Sequence, residues 1–374
     1  MRFGWIIGVL LGAVPLNAQT AGTAALKPQP PLERKAAAGP MRVALVATAD
    51  PLGSPLIGFA AQADGAGLYA LQGFPGAAFP GPRLTLARAA GLPAISSAGS
   101  YAVARGAQPG ELLVYGLRPN PGSGMLLPSA FFVNAQADRI VLSPLGGVAL
   151  LYDRERREIE VVAGLPRQPH SLYTVSLAGL GGLLTALAVS DDGAVALAAF
   201  SNENGSGEIY RLQRDAASHT GTASRAAAAG RVVHMSFVPQ TRDALVADYD
   251  RGQVLMLNDG GRQGTRTIAG RSDGVRAPVA VEASTNGSVF IVNEGSGTLV
   301  VAGSGTATPG LFSCGCVATG LERLKDPDSF RLTTGGGVQA VLQADQNQPG
   351  VFYVPAGEEA AQPSGAQTPS RIRK

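Results

Sequence analysis

The chain has 374 residues, 45% of them apolar, 15% charged and 6% aromatic, which can fill a large core and argues against a disordered or nucleic-acid-binding protein. A formal charge of +3 with scattered basic residues gives no support to electrostatic capture of a polyanion. The 50 Gly and 26 Pro follow no collagen-like period, so they punctuate many short strands of an all-β chain.

Arg2 precedes a mostly apolar stretch over 3–16 that leaves through Asn17-Ala18-Gln19, the order of a secretory signal peptide, with cleavage expected after Ala18. The stretch falls short of the 18 or so residues a retained anchor needs, and no Cys near the cleavage site supports lipid attachment. The expectation is therefore a secreted or periplasmic protein with no membrane span after processing. Residues 19–40, with Lys27-Pro28-Gln29-Pro30-Pro31, form a Pro-rich linker, because successive prolines fix φ and remove backbone donors.

Residues 41–356 repeat one pattern: an apolar run, a turn, a second apolar run, a polar break and a third run. The turns fall at Gly65, Gly99, Gly147, Gly193, Arg242, Gly287 and Gly336, 34, 48, 46, 49, 45 and 49 residues apart, close to the length of one propeller blade. The fifth repeat is the clearest, with strands over 232–238, 244–247, 253–257 and 265–269. The first two repeats are degraded, which leaves six or eight blades as alternatives to seven. The short run over 226–229 is bounded by glycines and reads as a link.

The last repeat ends at its third strand, over 351–354, while residues 42–47 form a strand with no partner of their own. Pairing the two hides both open sheet edges, so a seven-bladed β-propeller with strand-exchange closure is expected, Val43 and Leu45 lying beside Phe352. The alternative is a β-sandwich with an unrelated N-terminal strand. Residues 357–374 carry no apolar period and are expected to be a disordered tail.

Two segments carry a resemblance. The stretch Ala244-Leu245-Val246-Ala247-Asp248-Tyr249-Asp250-Arg251-Gly252-Gln253-Val254, with Val289-Phe290-Ile291-Val292-Asn293, resembles the repeat of NHL- and YVTN-type propellers, which place Asp or Asn where the second strand ends. The run Cys314-Gly315-Cys316 through Gly320-Leu321-Glu322-Arg323-Leu324 resembles a signature of secreted bacterial propellers of unknown activity. These resemblances imply a propeller; lactonases, lyases, adhesins and interaction scaffolds share that fold, so function has to come from the site.

The candidate binding residues are the polar groups expected on one rim: Asp153, Asn202, Asp248, Asn293, Asp345, and Asp326 ahead of the seventh first strand, with Glu203, Asp250, Glu294 and Asn347 beside them. Such oxygens suit Ca²⁺, which would polarise an ester carbonyl in a lactonase-like reaction; the competing reading is that Asp and Asn satisfy turn backbone at strand ends. His170 and His219 belong to links on the opposite rim, and His234 to the fifth first strand, so no three-His site or Ser-His-Asp triad is expected. Cys314 and Cys316, the only cysteines, are expected to form a disulfide. The leading expectation is a monomeric binding or interaction module without a cofactor, its central rim meeting a protein or small-molecule ligand. A Ca²⁺-assisted hydrolase or lyase and a structural surface protein are the alternatives.

Overall fold

The computed structural model describes residues 54–354 apart from 63–64, 66, 119–121, 216–217, 304–308, 327, 335–338 and 344–348. The expected signal peptide, linker, N-terminal strand over 42–47 and C-terminal tail lie outside the described residues, as do Gly336, Asp345 and Asn347.

The described strands make seven four-stranded sheets arranged as the blades of a ring. In chain order the first strands are β1 (Leu56–Ala61), β2 (Gly67–Gln72), β3 (Phe79–Leu86), β4 (Ala94–Ile95), β5 (Tyr101–Arg105), β6 (Glu111–Gly116), β7 (Gly124–Leu126) and β8 (Ser129–Phe132). Blade 3 holds β9 (Arg139–Leu142), β10 (Val148–Asp153), β11 (Glu158–Ala163) and β12 (His170–Ser176). Blade 4 holds β13 (Leu183–Val189), β14 (Val195–Ser201), β15 (Gly207–Arg214) and β16 (Gly221–Ala229). Blade 5 holds β17 (Val232–Phe237), β18 (Ala244–Asp248), β19 (Gln253–Leu257) and β20 (Thr265–Ala269). Blade 6 holds β21 (Pro278–Ala283), β22 (Ser288–Asn293), β23 (Thr298–Gly303) and β24 (Gly310–Ser313), and blade 7 holds β25 (Ala318–Arg323), β26 (Ser329–Thr334), β27 (Gln339–Gln343) and β28 (Gly350–Val354).

Both faces of a blade are buried against neighbours, which explains why its strands read as continuous apolar runs. In β10, Val148 and Leu150 pack into a cluster shared with blade 4, while the alternating Ala149 and Leu151 pack into one shared with blade 2. A hydrophobic cluster fills each of the seven blade-to-blade seams. The seventh joins Ile57, Ala60, Leu71 and Ala78 of blade 1 to Leu324, Val341 and Val354 of blade 7, and Lys325 N–H donates to the Ile57 carbonyl at 3.1 Å.

Three expectations need correction. First, the premise of strand exchange fails: β25 over Ala318–Arg323 is the inner strand of blade 7, so the run starting at Ser329 is its second strand, and the blade has four strands of its own. Second, blades 1 and 2 are interlaced. After β6 the chain returns to lay β7 parallel to β3 as the outer strand of blade 1, then supplies β8 as the outer strand of blade 2. Third, residues 226–229 belong to β16, where Ala227, Ala228 and Ala229 pair with Ile209, Glu208 and Gly207; they are not a link.

The first-to-second-strand turns share a device. Ser96, Ser143, Ser190 and Ser284 are all buried, and each carbonyl accepts the N–H of the residue three on, Gly99, Gly146, Gly193 and Gly287. In three of them the Ser hydroxyl also accepts the N–H five residues on. The third and fifth turns place their left-handed residue at Gly146 and Gln240, not at Gly147 and Arg242. At Gly193, with φ +66°, the left-handed conformation favours glycine, and a Cβ would also stand 2.6 Å from Leu172 Cδ1, the end of a side chain that would have to move.

Candidate functional site: the central channel

Antiparallel pairing sends each second strand away from the first-to-second turns, so its last residue lies on the opposite rim, beside the links between blades. Asp153, Asp248 and Asn293 occupy that position, all almost fully buried. Each closes its own blade. Asp153 accepts from Gln136 N–H at 3.2 Å and Arg156 N–H at 2.9 Å. Asp248 accepts from Gly230 N–H at 2.9 Å, Arg251 N–H at 3.2 Å and Gln253 Nε2 at 3.3 Å. Asn293 accepts from Arg276 N–H at 2.9 Å and donates to the Gly274 carbonyl at 2.9 Å and Thr298 Oγ1 at 3.0 Å. These side chains tie the incoming link to the end of the second strand.

The other predicted residues stand apart. Asn202 is exposed and bonded within its own loop to Ser206. Asp326 sits in the turn between β25 and β26, on the rim opposite to the one expected, where it accepts from Asp328 N–H at 3.1 Å. Among the described residues no three His, Cys, Asp or Glu side chains are grouped as a metal ion would need. His170 and His219 flank the third-to-fourth-strand connections of blades 3 and 4, as expected. Cys314 and Cys316 form the expected disulfide, in the link between β24 and β25.

The groups that do converge line the channel on the ring axis, a cavity of about 410 Å³ walled by inner strands and by the turns carrying Ser97, Pro144 and Lys325. Three clues point to its chemistry. Glu282 accepts from Ser236 Oγ at 2.8 Å and Arg323 Nη2 at 3.2 Å, and the Arg323 guanidinium lies 4.9 Å over the Phe330 ring. Glu322 accepts from Arg331 through Nε at 3.1 Å and through Nη2. Arg139 has only the Thr185 carbonyl, at 3.3 Å, and no acid partner among the described residues.

Arg139 and His234 lie at one height in the ring. Arg139 pairs with Tyr152 and His234 with Ala247, each one residue before the strand-ending Asp153 or Asp248. Protein around Arg139 lowers its pKa from the usual guanidinium value by desolvation, although its surface stays open to the channel. Burial likewise pushes the His234 imidazole below its ordinary value, with Glu282 and Glu322 pulling it up and Arg139 pushing it further down, so it is neutral at pH 7. Its Nδ1 faces Val281 N–H at 3.4 Å.

Sequence reasoning singled out His234 and missed Arg139, Glu282, Glu322 and Arg323. Part of the signal was available: each is a charged residue on an innermost strand, and Glu282 stands in the otherwise apolar β21, positions that strand-end motifs do not mark.

No family model matches the chain, and no curated protein matches it in sequence. Solved structures do match in fold. A protein of unknown function from Desulfotomaculum acetoxidans is 14% identical, with a TM-score of 0.55 over 80% of this chain and 99% of that one. A candidate 6-phosphogluconolactonase from Bacteroides fragilis is 14% identical, with a TM-score of 0.54 over 81% and 94%. Another from Bacteroides uniformis is 14% identical, with a TM-score of 0.52 over 80% and 94%. At this identity the likeness is one of fold.

Proposed function

We propose that this propeller is a binding module whose ligand enters the central channel from the rim of first-to-second-strand turns. The supporting observation is the axial cavity itself: about 410 Å³, within the roughly 300–1,000 Å³ range of ligand pockets, with charged and polar groups converging among apolar ones on its walls. The oxygens of Asp153, Asp248 and Asn293, first expected to bind, are committed to backbone N–H groups, whereas Arg139 is not committed to any described acid. Ser97→Trp, at the channel mouth, tests the reading in a thermal-shift screen of small metabolites. Ligands that stabilise the native protein and lose their effect in a Ser97→Trp variant with unchanged circular dichroism support it; ligands indifferent to that substitution count against it.

One observation favours a hydrolytic reading of the same channel. His234 lines the channel with its pKa lowered by burial, and with Nδ1 turned to Val281 N–H its proton sits on Nε2, where it would donate to a lactone carbonyl; two structural neighbours are candidate lactonases. Hydrolysis of simple lactones that is abolished in His234→Gln would move the assignment from binding to catalysis. Export is a further part of the proposal; a mature N-terminus at Gln19 in secreted or periplasmic material tests it.

A further inference from the structure

We propose that the channel takes a small carboxylate, with Arg139 as its counter-charge. This rests on the channel being the binding site and adds the chemical class of what it binds.

The charges on the cavity wall do not balance. Glu282 and Glu322 share the wall with Arg139, Arg323 and Lys325, and Arg331 stands behind it, so cations outnumber acids by two when the His234 imidazole is neutral. Both acids already have cations: Arg323 holds Glu282, and Arg331, behind the wall, holds Glu322. The surplus therefore falls on Arg139 and on Lys325 at the mouth.

Arg139 is open to the channel and has no described acid to neutralise it, so an anion entering from solvent would be its first opposite charge. Arg139 is shaped for the task. It spends Nη1 on the Thr185 carbonyl, which leaves guanidinium N–H groups to meet two carboxylate oxygens in a planar fork. Ile95, Ile140 and Leu142, each partly exposed, also line the cavity and supply apolar surface for the body of the ligand. A cationic ligand would meet Arg139 and Lys325, and inorganic phosphate would bring no apolar body to cover the rest of the wall.

Three probes of one size separate charge from shape: benzoate, benzamide and benzamidine, titrated calorimetrically into the full-length protein at pH 7.5 and fixed ionic strength, with inorganic phosphate as a fourth. Benzoate is expected to bind at least tenfold more tightly than benzamide, and benzamidine more weakly still. Arg139→Gln is expected to cost benzoate about ten- to a hundredfold, the range for a charge-assisted hydrogen-bond pair, and Arg139→Lys to cost less, because charge returns without the fork. Circular dichroism of both variants separates lost binding from lost fold.

Undiminished benzoate affinity in a folded Arg139→Gln variant overturns the proposal, as does phosphate binding more tightly than benzoate. Benzamide or benzamidine binding as well as benzoate, and blocked by Ser97→Trp, overturns the charge class and leaves channel binding standing. No binding by any of the four probes overturns the carboxylate proposal; the metabolite screen with Ser97→Trp then decides separately whether the channel binds other ligands.

Discussion

Asp191 Oδ1 accepts the backbone N–H of Leu145, 46 residues earlier and one blade back, at 2.7 Å. Its Oδ2 accepts the N–H of Gln240, in the turn of the following blade, at 2.9 Å. One carboxylate thus spans three consecutive turns. Ser97 to the Pro144 carbonyl at 2.6 Å, Arg242 to Asp192 at 2.7 Å, and Thr285 to Asp328 at 2.8 Å extend the same rim belt.

Asp191→Ala removes two acceptors and leaves two turn N–H groups to water. Because the site is partly exposed, water recovers much of the loss, and a cost of about 1–2 kcal/mol is expected, against roughly 1.5–3 for each hydrogen bond to a charged group. Asp191→Asn, which keeps one carbonyl acceptor, should fall between. Urea unfolding of the three proteins checks the order; equal midpoints would remove the belt from any account of ring stability.

Much of this ring was legible in sequence because each blade needs an apolar run on both sides of a tight turn. The inner and second strands of blades 3 to 6 fall within a residue or two of the sequence reading. Two signals were misread. The 34-residue step from Gly65 to Gly99 is too short for a whole blade, and the shortfall is the outer strand that β7 later supplies from beyond β6. In the seventh repeat the run ahead of position 336 is the second strand, β26, and not the first, so anchoring on glycine shifted the frame by one strand. The serine three residues before the glycine keeps a stricter period: Ser96, Ser143 and Ser190 are each 47 residues apart. The channel was not legible, because which inner-strand charges share an axis depends on ring register, and no local motif encodes that.

Asp248 tests the rival metal chemistry. Its Oδ2 is held by Gly230 N–H and Gln253 Nε2 and its Oδ1 by Arg251 N–H, in a fully buried setting. Asp248→Ala strands the buried Gly230 N–H and should cost about 2–4 kcal/mol in chemical denaturation. Millimolar Ca²⁺ and EGTA should both leave the thermal midpoint of the native protein in place. A calcium-dependent rise that disappears in Asp248→Asn would restore a strand-end metal site.

The Cys314–Cys316 disulfide closes a very short loop, which limits its worth. Chain entropy gives about 1.5 kcal/mol for three residues. Cys314 is also buried in the cluster between blades 6 and 7, so a double Cys→Ser variant should lose a little more through packing and still fold. Loss of cooperative unfolding in that variant would show that this link staples the ring.

His234 makes stability depend on pH in a defined direction. Burial holds the folded-state pKa below the ordinary value, so the unfolded chain, with a pKa of about 6.5, takes up the proton first as pH falls. The neutral imidazole's contribution is complete above that pH and is lost progressively below it, until the folded-state imidazole also protonates. The slope is at most about 1.4 kcal/mol per pH unit. The charged groups that set it are Glu282, Glu322 and Arg139. His234→Gln keeps an acceptor for Val281 N–H and removes the titration, so its stability should stay nearly flat between pH 6.5 and 5 while the native protein loses stability. Parallel profiles for the two proteins would mean that the imidazole is hydrated well enough to titrate like an exposed one, and the burial that holds it neutral would have to be abandoned.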